Sequence, residues 1–221
     1  MIDQLLGLRK RVQEELADTQ LVSRAMRGEM ERDVYIRYLA NARYYAQFSP
    51  VLMALGASRL SASHPELSRY LLKHAADEQG HDAWALEDLR ELGVESSQAL
   101  ATRPVPACSA LVGYVHFLAG HANPVALFGW MYVLEAVGDD LGAKIGEQLL
   151  ASLGTSRSAV RFVVGHGVAD VAHTEEITEQ IRHSVVNPED HRDLLEAADV
   201  VADLYHRMFR EIGGERAAWP G

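Results

Sequence analysis

The sequence predicts an all-α protein, and three observations predict it. Apolar residues recur at helical spacing along most of the chain, while strand-like alternation is scarce. Gly, Pro and Asn fall where helices of ordinary length would start and stop. A triplet of two histidines and one acid at i, i+4 and i+7 occurs twice, a spacing that a helix gathers on one side. The 221 residues suffice for one sizeable core and demand no second domain, so residues 1–221 are read as one helical domain.

The first helix is expected from Met1 to Asp18 and a short one from Val22 to Met30. A longer helix covers Arg32 to Leu60, with Pro50 as its kink. Ser63-His64-Pro65-Glu66 opens the next, with Ser63 as N-cap, and Gly93 closes it. Residues 94–106, with Pro104 and Pro106, read as the one extended connection. Helices then follow at Cys108 to Gly120, Pro124 to Leu153, Ser158 to Val186 and Pro188 to Ile212. Asn123-Pro124 and Asn187-Pro188 are cap-and-start signals. The tail Gly213 to Gly221 is expected to fray.

The net charge of −10 and the lack of a basic stripe argue against a nucleic-acid partner. No apolar run reaches membrane-spanning length and no N-terminal signal pattern is present, so a soluble cytoplasmic protein is expected. The single cysteine, Cys108, excludes an intramolecular disulfide and a multi-thiolate metal site, and it lacks any base motif that would make it a nucleophile.

The chemistry is concentrated in the recurring triplet. His74-x3-Glu78-x2-His81 and His166-x3-Asp170-x2-His173 each present two imidazoles and a carboxylate to one helix face. A lone histidine on a helix is more often a surface or hydrogen-bonded residue; two matching triplets favour ligation. Positions i to i+7 span roughly 10 Å along the axis, so two ions between facing stripes use these ligands better than one. Imidazole and carboxylate without thiolate suit iron or manganese and also admit zinc. Glu135 lies in the apolar stretch Gly129-Trp-Met-Tyr-Val-Leu-Glu-Ala-Val-Gly and needs a partner, either the metal pair or a buried Arg or Lys. A complete di-iron carboxylate set would take a further acid from the helix at 32–60. That helix offers Asp33, Asn41, Tyr44, Tyr45 and Gln47 but no carboxylate in its middle, so His74 or His166 takes that place or one metal is held loosely.

Gly138, Gly142 and Gly146 repeat every four residues, which suits either close helix packing or a helix that bends beside the metals. Tyr44, Tyr45, Trp84, Tyr132 and Phe162 are the candidate walls of a substrate pocket, though aromatics in helices are more often plain core. His64, His116, His121, His183, His191 and His206 have no partner spacing and are read as structural.

These residues bring a resemblance into view. The segment from Tyr70 through Glu78, His81 and Trp84 to Gly93, the segment Tyr132-Val-Leu-Glu135 with the glycines after it, and His166-x3-Asp170-x2-His173 together resemble the heme-oxygenase-like di-iron oxidases and oxygenases, often labelled iron-containing redox enzymes. The resemblance covers roughly residues 20–210 and implies a heme-oxygenase-like bundle of about seven helices. It implies Glu78, His81, Glu135, His166, Asp170 and His173 as iron ligands, with His74 as an additional candidate where some relatives place an acid. The chain departs from the family pattern in lacking a glutamate near 40–47. The implied cofactor is two Fe with O2 as co-substrate. The implied reaction is N-oxygenation, oxidative C–C or C–N cleavage, or desaturation of a small amino-acid-derived or fatty-acid-like molecule in specialised metabolism. Electrons would come from an external donor, because no flavin or nicotinamide fingerprint occurs. The resemblance admits a homodimer, although no coiled-coil seam demands one. The alternatives are a zinc- or manganese-dependent hydrolase or lyase on the same ligands, and a non-catalytic binding protein that kept the fold. A heme-binding reading lacks its proximal ligand, since residues 1–63 contain no histidine.

Overall fold

The computed structural model describes residues 1–215, and among them every regular element is a helix. Eleven α-helices form: α1 Ile2–Ala17, α2 Gln20–Met26, α3 Arg32–Ala46, α4 Ser49–Leu60, α5 Pro65–Asp77, α6 His81–Glu91, α7 Ser96–Ala101, α8 Pro106–Gly120, α9 Leu127–Leu153, α10 Arg161–Ser184 and α11 Pro188–Ile212. The division is finer than the sequence suggested, for three local reasons. The helix expected over 32–60 stops at Gln47 and restarts with Pro50 in its first turn, so the proline starts a helix rather than kinking one. The helix expected over 63–93 breaks at 78–80, where Gly80 has φ 96°, a left-handed conformation that suits glycine. The connection at 94–106 holds the short α7 before Val105-Pro106 opens α8. Of the expected tail, Gly213 and Gly214 form a turn and Glu215 is tied down. It accepts from the Gln20 backbone N–H at 2.8 Å and from Arg210 Nε at 3.1 Å; residues 216–221 lie outside the described part.

Helix α9 is the axis of the bundle. It packs most extensively on α10, then on α11, with α1 and α2 on its other sides. Its apolar face carries Leu127, Phe128, Met131 and Val133, all nearly solvent-free, which is why a 27-residue helix with so few charges sits at the centre. Glycines bring α9 and α10 together: a Cβ on Gly142 would stand 2.6 Å from Gly167 Cα, and one on Gly146 would stand 2.6 Å from Val164 Cγ2. The four-residue glycine repeat is therefore a packing device, and α9 runs unbroken through it. Arg9 on α1 clamps the same helix, reaching Asp139 at 2.7 Å and Asp140 at 2.6 and 3.0 Å.

The second layer pairs α3 with α6 and α4 with α5. Asp88 on α6 accepts from the backbone N–H groups of Arg161 (3.1 Å) and Phe162 (2.8 Å), the first residues of α10, and so fixes one histidine-bearing helix against another. At the opposite end Asn123 donates to Asp190 (2.7 Å) and Asp193 (3.0 Å), and His64 pairs with Asp190 at 3.2 Å. No described helix is long and apolar enough to cross a membrane.

A candidate metal centre

Both triplets converge where α5, α6, α9 and α10 meet, but not as two straight stripes. His74 lies in the last turn of α5, Glu78 caps its C-terminus, and His81 opens α6 beyond the left-handed Gly80. The break re-aims His81, which an unbroken helix would have stacked above Glu78. Two groups of donor atoms result, each gathered within 4.8 Å: His74, Glu78, Glu135 and His173 form one, and Glu78, His81 and His166 form the other. Glu78 belongs to both.

Glu135 is the acid that needed a partner. It receives His74 Nε2 at 2.9 Å and His173 Nδ1 at 3.2 Å rather than a buried Arg or Lys. Burial pushes its carboxyl up, yet the hydrogen bonds from His173 and His74 outweigh burial and hold it below the ordinary range. The Glu135 contact in turn pushes His173 up.

His166 donates Nδ1–H to the Phe162 carbonyl at 2.7 Å, which leaves Nε2 free as an acceptor or ligand atom. Burial lowers its pKa and favours the neutral imidazole that a metal needs. His81 Nδ1 stands 3.0 Å from Glu78 Oε1, yet this buried nitrogen makes no hydrogen bond. Its ring lies against Trp84, with centroids 4.0 Å apart, and edge-on to His166 at 4.8 Å.

Asp170 stands outside both groups. It is buried, its Oδ1 has no hydrogen-bond partner, and it lies 3.9 Å from His173 Nδ1. Burial, with Glu135 close by, pushes its carboxyl well above the ordinary carboxylate range. A carboxylate this buried needs a cation or a proton. Among protein atoms alone a proton shared with Glu135 fills the need, and a metal ion would replace it. The unpartnered Asp170 and His81 atoms, the doubly shared Glu78 and the all-N/O donor set fit two divalent ions of the first transition row. No glutamate comes from α3, where Asn41 is spent on structure, its Oδ1 accepting from Val105 N–H at 2.9 Å. Of the two histidines that could take the place of that acid, His74 lies in one donor group and His166 in the other.

A cavity of about 110 Å³ reaches the cluster, touching Glu78, Glu135, His166 and Asp170. Of the five aromatics proposed as pocket walls, Tyr45 and Phe162 line this cavity, and Tyr44, Trp84 and Tyr132 do not. Tyr44 is one helix position off the inward face and packs on Phe48 (5.5 Å). Trp84 covers His81 from the outer side, and Tyr132 faces α1 beside Leu8, Arg9 and Val12. Tyr35, Tyr38 and Tyr205 line the cavity and were missed. Tyr35, Tyr38 and Tyr45 share one face of α3, a periodicity that could have found two of them. Cys108 is buried and its thiol is pushed up to about 12 by burial, which suits no nucleophile.

The chain matches the iron-containing redox enzyme family over residues 36–206. No curated protein matches it in sequence. Among solved structures it is similar to a domain of unknown function with a heme oxygenase-like fold from Shewanella denitrificans. The TM-score is 0.86 at 19% identity, covering 97% of this chain and 96% of that one. It is also similar to a TenA homologue from Pseudomonas syringae (TM-score 0.82, 15% identity, 97% and 92% covered) and to heme oxygenase-1 from Synechocystis in complex with heme (0.66, 16%, 96% and 92%). At these identities the likeness establishes a heme oxygenase-like fold.

Proposed function

This chain belongs to the iron-containing redox enzyme family, and on that premise we propose that it is a non-heme di-iron oxidase or oxygenase acting on a small molecule with an extended apolar part. One observation carries the reading: two groups of histidine and carboxylate donors share Glu78 and open onto one apolar cavity. His74, Glu78, Glu135 and His173 would hold one ion, and Glu78, His81 and His166 the other, with Asp170 beside the first. An iron pair supplies, when bound, the reduction of O2 and the oxidation of a substrate; the electrons come from an external donor.

The chain's own residues set the conditions for that chemistry. Glu78 ties the two positions together. The Phe162 carbonyl fixes the His166 tautomer and aims Nε2 inward. Glu135 orients His74 and His173 through one oxygen each. The apolar wall keeps bulk water from the donors and holds a substrate beside them. Of the two substrate classes that the sequence suggested, the fatty-acid-like one suits this wall by its long apolar part.

The test is anaerobic Fe(II) titration with metal analysis, followed by O2 exposure with an optical trace, in wild type and His173→Ala. Two irons per wild-type chain, and a transient band that the substitution removes, are expected. Uptake of zinc alone, or no iron uptake under any condition, would sink the oxidase reading and promote a hydrolase or binding role.

A further inference from the structure

Three phenols stand together on one wall of the cavity. Tyr38 and Tyr45 of α3 and Tyr205 of α11 all line it, with the Tyr45 and Tyr205 hydroxyls 3.4 Å apart. That separation exceeds the 2.5–3.0 Å of an ordinary O–H···O bond, so the hydroxyls satisfy one another poorly. Tyr38 packs edge-on to Phe209 at 6.0 Å and Tyr45 edge-on to Tyr205 at 6.2 Å, which holds the rings in place while the oxygens meet. Burial keeps all three well above the ordinary phenol range, so they are neutral donors.

The rest of the lining defines what this wall can serve. Leu134, Leu141, Ile145, Met53, Met131 and Trp130 make an apolar channel. The acids Glu78, Glu135 and Asp170 touch it only at the metal end, and no described lining residue is Lys or Arg. A ligand with an ammonium and a carboxylate on one carbon would leave at least one charge unmatched in this channel. A phosphate or an acyl carrier would fare worse. A neutral oxygen costs little to desolvate and finds phenol hydroxyls among which the Tyr45–Tyr205 bond is long.

We propose that the cavity takes an extended apolar molecule that carries a neutral oxygen (a ketone, alcohol or ether) and that Tyr38, Tyr45 and Tyr205 anchor that oxygen by hydrogen bonds. The substrate class so named rests on the oxidase reading, but the binding site does not need the metals. The tyrosines are positioning residues: they fix where along its length the chain is presented to the metal end.

The test is calorimetric binding of three ligands of one length, 2-decanone, decane and 2-aminodecanoic acid, to the full chain under anaerobic conditions with and without Fe(II). Wild type should bind the ketone more tightly than the hydrocarbon, and the amino acid weakest. Tyr45→Phe should weaken the ketone about five- to tenfold, the worth of one net hydrogen bond, and leave decane unchanged. Tyr38→Phe, measured alongside, keeps the test valid if Tyr45→Phe folds poorly, and an unchanged Tm in either variant shows that the loss is not structural. Equal ketone affinity in wild type and both variants, or a preference for the amino acid, would overturn the proposal. Ketone binding that persists without any iron uptake would overturn the oxidase reading and keep this one.

Discussion

Asp170 occupies space that only a glycine at 138 leaves open: a Cβ there would overlap the Asp170 carboxylate. A backbone feature of α9 thus decides where a side chain of α10 can stand, 3.9 Å from His173.

Gly138→Ala should therefore act on the site more than on the helix. The alanine gains about 1 kcal/mol of helix propensity, against about 1–3 kcal/mol for overpacking. The expected result is a small net loss of stability in urea unfolding and a clear loss of Fe(II) affinity as Asp170 is displaced. Gly113→Ala is the control, because a Cβ there meets nothing within 4 Å. It should be neutral or stabilising with iron uptake unchanged.

The sharing of Glu78 predicts an asymmetry in metal content. Glu78→Ala should lower occupancy at both positions, whereas His81→Ala should cost one iron and spare the group around His74, Glu135 and His173. Metal analysis after anaerobic Fe(II) loading and desalting reads this directly. One iron left in Glu78→Ala, or none in His81→Ala, would mean that the ions are shared in another way.

Asp88 carries a pH signature outside the ligand set. Burial raises its carboxyl from 3.8 to about 6, against the opposing pull of the Phe162 and Arg161 backbone N–H groups. The folded chain then holds that proton more tightly than the unfolded chain does. The stability this lends is full below pH 3.8 and is lost as pH rises through about 6. Asp88→Asn cannot titrate, so between pH 4 and 6 wild type should lose stability relative to the variant. Unfolding curves that run parallel across that window would refute the shift. A constant offset is expected besides, since an amide accepts at only one of its two heavy atoms.

Asn41 is a stability site. It is 1% exposed, accepts from Val105 N–H at 2.9 Å and donates to the Arg37 carbonyl at 2.8 Å, so it ties the start of α8 to α3. Asn41→Ala takes the partner from a half-buried Val105 N–H, at about 1 kcal/mol. A fall in Tm with iron stoichiometry intact is expected; loss of iron at unchanged Tm would give Asn41 a place in the site.

The substitutions test a division already visible between local and distant causes. Helical periodicity, the Asn-Pro starts and the twin histidine–acid spacings are local patterns, and the chain alone determined from them an all-α fold and six candidate ligands. The isolation of Glu135 in an apolar run likewise announced a buried partner. Three things were decided only in the folded molecule. Gly80 turned one expected helix into two and re-aimed His81, because a positive φ is a choice that a helical pattern does not encode. Asp170 ended beside Glu135 but outside both donor groups, because its place depends on a glycine 32 positions away on another helix. Tyr38 and Tyr45 of α3 meet Tyr205 of α11 on one wall of a cavity, while Tyr44, Trp84 and Tyr132 turn elsewhere. Spacing along a helix fixes which residues share a face; what that face meets depends on how the helices pack, and packing is set by contacts between residues far apart in sequence.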